Sequence, residues 1–470
     1  MGIDIVPPLT IISRSLDNKE INSYNKVMKI VRIIARLNIG GPARNAMILT
    51  EEFSTSLEQH VPSKVEGYSS SEVEKIKYET VLICGEAERS EGDMMYLARE
   101  KGIKPIIIKE LGRELSWKDD WAAFWKIYKV ICEVRPDIIH THTAKAGAIG
   151  RMAGVLYKVI RFSTQPNILR ACREDIRLRS NNIVIIHTFH GHVFSGYFGK
   201  IKTLFFIWVE RFLALFTDKI ITVSENLKGE LVEKFKIAPE EKISVIELGF
   251  ELDELLKLPQ KENSKTVNIG IVGRLVPVKN HKMVLDCARN LKQYVRSNNI
   301  AWVPPKYSSS GHEAISWGES REVKFIIIGD GEMRGELERY AEGLGIKDII
   351  EFRGWVKDLK AIYEELDIVA LTSLNEGTPV SLIEAMAAAR PVIATDVGGV
   401  KDIVKDGASG YIVESGNVGE FTKKLMELIK DPEKRRKLGE YGRSIVKNRF
   451  SKERLIKDTE RLYNTILSKK

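Results

Sequence analysis

Asn375-Glu376-Gly377-Thr378-Pro379-Val380-Ser381-Leu382-Ile383-Glu384-Ala385-Met386 is the stretch on which the reading of this chain turns. It lies between two apolar runs, Asp367-Ile368-Val369-Ala370-Leu371 and Pro391-Val392-Ile393-Ala394-Thr395. Both have the uninterrupted hydrophobic character of buried parallel strands. The pattern between them predicts a helix capped by Thr378, with Pro379 in its first turn, where a missing N–H costs nothing. That helix is apolar on nearly every side, and only Ser381 and Glu384 form a narrow polar stripe. A helix of this kind is buried on most faces, so the Glu384 carboxylate needs hydrogen-bond donors around it. Glu376 sits in the glycine-bearing loop before the helix, Gly377 beside it. In an open parallel sheet that strand-end crevice binds ligands, and helix N-terminal amides there suit a phosphate.

Working outward, the 470 residues exceed one ordinary core and set an expectation of two or three domains. Hydrophobic residues at 43% and charged ones at 29% describe a soluble globular protein. The net charge of +9 is compatible with an anionic ligand or membrane surface and does not by itself indicate nucleic acid. Cys84, Cys132, Cys172 and Cys287 form no CxxC pair and no zinc-like spacing, which fits reduced thiols in a cytoplasmic protein. The longest apolar run, Thr203 to Phe216, carries Glu210 and Arg211 in its middle and is no simple transmembrane helix. Residues 1–26 read as a polar extension without a secretory pattern.

The N-terminal half alternates strands and helices. A strand from Val27 to Leu37 runs into a turn holding Gly40 and Gly41; further strands are expected at Thr80–Cys84 and Pro105–Ile108, with helices at Met94–Lys101 and Trp117–Glu133. His140 and His142 are expected just after a strand, with Lys145 near them, and His187, His190 and His192 at the end of the next. A metal reading of His-x-His lacks a carboxylate or cysteine at suitable spacing. The second half opens with strand Val267–Val272, followed by Arg274 and Lys279, two cations placed to flank a phosphate pair. Gly329-Asp330-Gly331-Glu332 follows another strand, but the next glycine, Gly335, comes one place late for a dinucleotide fingerprint. Residues 54–78 read as a polar surface excursion, 161–182 as a basic insertion and 295–322 as a disordered-looking one.

The frame E-G-x-P-x(4)-E-A-M-A, with Glu376 and Glu384 eight apart, resembles the E-x(7)-E signature of retaining glycosyltransferases of family 4. The resemblance runs from Val27 to the C-terminus. It implies an α/β fold of GT-B architecture, two facing Rossmann-like domains with parallel sheets and a cleft between them. The corresponding divisions are an acceptor domain over 27–256, a nucleotide-sugar donor domain over 267–447, and a terminal helix over 448–470 crossing back to the first domain. It further implies catalytic roles for His142, Glu376, Arg274 and Lys279. Donor contacts fall to Gly40, Gly41, His190, Gly331, Glu332, Trp355, Val356, Gly377, Thr378, Pro379, Val380 and Glu384. In this scheme Arg274 and Lys279 neutralise the leaving diphosphate, Glu376 holds sugar hydroxyls and Glu384 takes the ribose. Two positions depart from the family pattern: Ala389, where glycine is usual, and Glu247, in the family's N-G-hydrophobic site.

The activity so implied is transfer of a sugar from a nucleotide diphosphate, UDP by family frequency, to a carbohydrate or lipid-linked acceptor in cell-surface polysaccharide or glycoconjugate synthesis. No cofactor and no metal are expected, and no D-x-D motif occurs in the sequence. A GT-B sugar-nucleotide epimerase is the alternative. A nicotinamide-dependent oxidoreductase is disfavoured by the late glycine, and a non-catalytic carbohydrate-binding protein would need neither the cations nor the paired acids. From His140 to Lys219 stand 12 basic against 4 acidic residues beside the aromatic run Leu204–Phe216. That combination suits either a core helix with a solvated basic rim or a peripheral seat on an anionic membrane, at its cytoplasmic face.

Overall fold

The β-branched runs read as buried strands assemble, in the computed structural model, into two separate parallel sheets. Residues 27–55, 77–86, 93–112, 116–163, 183–191, 194, 199–262, 264–297 and 322–469 are described. The extension 1–26, Cys172, His192 and most of the three polar insertions lie outside them. The first sheet comprises β1 (Val27–Arg36), β2 (Lys77–Gly85), β3 (Ile106–Ile107), β4 (Ile138–His142), β5 (Val184–Phe189), β6 (Lys219–Thr222) and β7 (Ile243–Val245). Its order is β3-β2-β1-β4-β5-β6-β7. The second comprises β8 (Thr266–Val272), β9 (Glu322–Ile328), β10 (Ile350–Gly354), β11 (Ile368–Leu371), β12 (Val392–Thr395) and β13 (Gly410–Val413), in the order β10-β9-β8-β11-β12-β13. Every pairing is parallel.

Each sheet has one point where the chain stops adding strands on one side and starts on the other: between β1 and β4 in the first, between β8 and β11 in the second. Crevices at such reversals, outside the strands' C-terminal ends, are where doubly wound sheets bind ligands. Seven helices surround or support those crevices: α1 (Gly41–Thr55), α2 (Trp117–Val134), α3 (Ala144–Ser163), α4 (Lys200–Phe216), α5 (Val380–Ala387), α6 (Pro432–Arg449) and α7 (Lys452–Ser468). The last of them leaves the second sheet and packs on the first, where Leu455 and Tyr463 join Ile30, Phe53 and Tyr78 in one apolar cluster.

Helix α5 begins one residue later than its sequence suggests. Pro379, at φ −73° and ψ 94°, is its N-cap and Val380 its first helical residue, so Thr378 does not cap it. Extended backbone at Pro379 fits proline's fixed φ, and capping by Thr378 would need the helix to start one turn position earlier. The far end closes in a Schellman turn: Ala389 N–H donates to the Met386 carbonyl (2.9 Å) and Arg390 N–H to that of Ala385 (2.8 Å). The turn forces Ala389 to φ +54°, the left-handed region that explains why glycine would suit this place. Glu247, the other departure, forms an ion pair with Arg449 at the end of α6.

Candidate active site

On the second-sheet side, hydrogen bonds stitch two loops together. Thr372 Oγ1 donates to the Asn280 carbonyl at 3.0 Å, and Leu374 N–H to that of Val278 at 2.8 Å. This brings Lys279 Nζ to 2.5 Å from Glu376 Oε1, which also accepts from Ser373 Oγ at 2.6 Å. Arg274 is half-buried at the same strand end, and no ion pair engages it among the described residues. Beneath Glu376 lies Gly398, at φ +49°. A Cβ there would fall 1.8 Å from the Glu376 carbonyl oxygen, and one on Gly399 would fall 2.0 Å from that of Gly377. Only a glycine pair lets this floor come so close.

The neighbouring Gly329–Gly331 loop is tied to the same place by its backbone. Leu275 N–H donates to the Asp330 carbonyl at 2.9 Å, and a Cβ on Gly331 would meet the Leu275 carbonyl at 2.5 Å. Gly331 thus packs loop on loop, while Glu332 and Trp355 stand exposed and Val356 leans on the core.

Glu384 is buried on α5 and paired across the seam between the sheets. Arg44, in the first turn of α1, donates to its Oε1, and Tyr363 Oη donates to Oε2 at 2.8 Å. Burial opposes the charge on Arg44, yet Glu384 beside it more than compensates and its pKa is raised. The Tyr363 hydroxyl is pushed well above its usual range by burial and by the adjacent carboxylate. Gly41 marks the same closeness: a Cβ would sit 3.1 Å from Leu248 and 3.2 Å from Val380. A Cβ on Gly40 would meet only Pro42 Cδ, at an ordinary van der Waals distance of 3.8 Å.

The histidines lie differently from the sequence expectation. His140 and His142 are within β4 and His187 is within β5, all fully buried, rather than beyond the strand ends. Their polarity is tolerated inside the sheet because each finds partners there. His140 Nδ1 lies 2.9 Å from Arg32 Nη1 and 2.6 Å from Tyr463 Oη, and its Nε2 lies 2.7 Å from Thr188 Oγ1. His142 Nδ1 lies 3.0 Å from His190 Nε2. His187 pairs with Thr141 Oγ1 at 2.9 Å and fills the space that Gly147 leaves open. Burial first, then neighbouring Arg32 and histidines, holds His140 and His142 well below the usual imidazole range, and burial alone takes His190 down to about 3. These are buried, neutral rings beside the Arg32 cation, and among the described residues no group of three or more His, Cys, Asp or Glu is arranged to hold a metal ion. Of this group only His190, at the end of β5, reaches the seam, its carbonyl against Gly377. Lys145, in the first turn of α3, pairs with Asp120 on α2 at 2.6 Å.

Two family models divide the chain between them: "Glycosyltransferase Family 4" matches residues 72–254 and "Glycosyl transferases group 1" matches residues 254–445. The chain is a family 4 glycosyltransferase. This glycosyltransferase is 26% identical over 342 residues to the UDP-Gal:alpha-D-GlcNAc-diphosphoundecaprenol alpha-1,3-galactosyltransferase of Escherichia coli, covering 71% of this chain and 76% of that one. It is 27% identical to the capsular polysaccharide biosynthesis glycosyltransferase CapM of Staphylococcus aureus, covering 76% and 83%. Its fold matches the crystal structure of Anabaena HepE in complex with UDP and glucose with a TM-score of 0.65 at 17% identity, over 93% of this chain and 100% of that one. The two facing sheets are those of the GT-B architecture.

The glycosyltransferase thus brings Arg274, Lys279, Glu376, Gly377 and His190 to one seam, with Glu384, Val380 and Gly41 at its rim. His142 stands one ring behind His190, and Trp355 and Glu332 lie out at the surface. Tyr363, Arg32 and Tyr463 are neighbours that no local pattern announced. Arg44 had one signal, a cation in the first turn of the helix that follows the glycine pair.

Proposed function

We propose that this enzyme is a retaining, metal-independent hexosyltransferase. In this reading it moves a sugar from a UDP-linked donor to a carbohydrate or lipid-linked acceptor during polysaccharide or glycoconjugate synthesis. The observation that carries the proposal is the pairing of an unengaged Arg274 with the Lys279–Glu376 contact at one strand reversal, facing His190 from the other. Breaking the anomeric C–O bond leaves negative charge on the diphosphate and positive charge on the sugar ring. Arg274, Lys279 and the first amides of α5 stabilise the former. Lys279 and Glu376 neutralise each other across their contact. A bound donor engages both, phosphate on the lysine and sugar hydroxyls on the carboxylate. Glu384 takes the ribose hydroxyls as Arg44 gives way, and the backbone at Trp355 and Val356 meets the base. The UDP in the HepE complex and the diphosphoundecaprenol acceptor in the name of the E. coli relative support the choice of donor and acceptor classes.

The membrane belongs to this reading through an inverted helix. On α4 the sole carboxylate, Glu210, turns inward to a buried pair with Arg151 (2.7 Å), while Leu204, Phe205, Trp208, Phe212 and Leu215 face out. Adjacent helices add Trp117, Trp121 and Trp125 on α2 and Met152 on α3. Lys200 and Lys202 border this face, and α3 and α4 carry no other acid. Aromatic side chains rimmed by cations suit an anionic lipid surface. No helix among the described residues is long and apolar enough to cross a membrane.

A nucleotide-sugar panel tests the function: the true donor at a hundred times its Kd should add roughly 2.7 kcal/mol of stability. The anomeric configuration of the product, read by NMR with EDTA present, should match the donor's. Inversion, or activity abolished by EDTA and restored by magnesium, would overturn the mechanism. Wild type should sediment with anionic vesicles and release with salt, and Trp208→Glu should not sediment. Failure to bind at low salt would leave a soluble acceptor.

A further inference from the structure

Arg32 is an arginine in the middle of β1 whose side chain is fully buried, and among the described residues no carboxylate pairs with it. Its contacts are Nη1 to His140 Nδ1 at 2.9 Å, Nη1 to His142 Nε2 at 3.4 Å, and Nη2 to Tyr463 Oη at 3.4 Å. A guanidinium has donors only, so each atom facing it must offer a lone pair. His140 therefore carries its proton on Nε2, which donates to Thr188 Oγ1 at 2.7 Å. His142, accepting at Nε2, carries its proton on Nδ1, and that N–H donates to His190 Nε2 at 3.0 Å. The reverse direction would leave His142 without any proton. His190, accepting at Nε2, must then hold its own proton on Nδ1.

That last atom is buried and finds no hydrogen-bond partner among the described residues. A shielded donor left unmatched is costly unless something else accepts from it. The rings lie face to face along the path, His140 on His142 with centroids 4.4 Å apart and His142 on His190 at 5.3 Å, so neither can flip freely. The path starts at a residue that cannot change its donor character and ends where β5 meets the Glu376–Gly377 loop.

We propose that Arg32 is a positioning residue that fixes, through His142, the Nδ1–H tautomer of His190, and that His190 donates from Nδ1 to a hydroxyl oxygen of the sugar being transferred. The sugar contact rests on the transferase reading above; the tautomer relay does not. The opposite tautomer would present a lone pair at that position and would invert the polarity of the contact, so the choice of proton site sets which sugar oxygen can be held.

Long-range proton–nitrogen spectra of the full chain labelled with [¹⁵N]histidine report each ring's tautomer directly, with the 8 histidines assigned by single substitutions. His142 and His190 should be Nδ1–H and His140 Nε2–H. An Nε2–H signal from either His142 or His190 overturns the relay whatever the enzyme does. In kinetics, His190→Asn places an amide donor where Nδ1 stood and His190→Gln places it where Nε2 stood. The asparagine variant should keep about tenfold more kcat than the glutamine variant, and equal or reversed losses remove the sugar contact. Folded Arg32→Gln should mix the tautomers of His142 and His190 and lower kcat about tenfold with donor KM nearly unchanged, and Arg32→Lys should restore both. Unaltered spectra in Arg32→Gln sink the positioning role; if that variant fails to fold, the wild-type spectrum and the asparagine–glutamine pair decide. Expected spectra beside an enzyme that transfers no sugar would break the transferase reading and the sugar contact, while the relay stands.

Discussion

The two sides of the seam solve the problem of polar groups in opposite ways. On the first-sheet side, His140, His142 and His187 are built into strands, neutral, buried and paired with one another's neighbours. On the second-sheet side, Arg274, Lys279 and Glu376 are charged groups beyond the strand ends, partly buried and held by at most one strong contact each with an opposite charge. The difference teaches where reorganisation can occur. A neutral cluster inside a sheet is fixed at folding, whereas an ion pair on a loop can exchange its partner for phosphate or sugar without disturbing the core.

Acid should break the first side before the second, and this is the largest effect expected. The unfolded histidine pKa is 6.5, while in the folded chain His140, His142 and His187 lie well below it and His190 lies at about 3. Between those values the unfolded chain binds more protons than the folded one. Stability therefore rises with pH up to 6.5 and is lost as pH falls through that window. Each histidine kept neutral contributes a slope of about 1.4 kcal/mol per pH unit. Urea midpoints measured at pH 7, 6 and 5 should fall steeply below 6.5; a flat series would show that the cluster accepts protons in place.

Next in size, Arg274→Ala should cut kcat/KM by roughly 10²- to 10³-fold, the range for removing one donor from a developing anion. Its circular dichroism should match wild type, because no ion pair among the described residues depends on it. Glu376→Gln should lose roughly 10- to 100-fold, corresponding to ~1.5–3 kcal/mol for a charge-assisted contact. Turnover at the wild-type level in a folded Glu376→Gln protein would remove this carboxylate from the reaction. The smallest change concerns the scaffold alone. Ala389→Gly should raise stability by about 1 kcal/mol by relieving a left-handed alanine, with activity unchanged. A lower melting temperature would mean that the alanine methyl packs better than its backbone suffers.

Much of the architecture was legible because buried parallel strands are written as local apolar runs, and those runs are short, strong and closely spaced. The second half of the seam was legible for a related reason: Arg274, Lys279 and Glu376 each follow such a run within a few residues, and Glu384 stands in the apolar helix that comes next. The first half was harder. Histidines look like strand ends to any reading by hydrophobicity, and only the tertiary partners Arg32, Thr188 and Tyr463 make them acceptable inside β4 and β5. Arg44 reaches Glu384 across 340 positions of sequence, and Tyr463 reaches His140 across 323. Periodicity carries no information at that range. Thr378 was misplaced as the cap because proline can cap as well as follow a cap.

Helix α7 imposes an order of events during synthesis. Its Tyr463 completes the hydrogen bonding of His140 and its Leu455 closes the cluster under Ile30, yet both are made after the whole second sheet. A ribosome adding 5–20 residues per second needs roughly 10–40 s to travel from the end of the first sheet to this helix. Throughout that interval the nascent first half carries an uncovered apolar floor and an Arg32 site lacking one of its partners. The chain therefore cannot complete the hydrogen bonding of Arg32 and His140 until Tyr463 clears the exit tunnel, and a nonsense mutation shortly before Tyr463 would release a protein with both sheets present and that buried cluster lacking its hydroxyl partner.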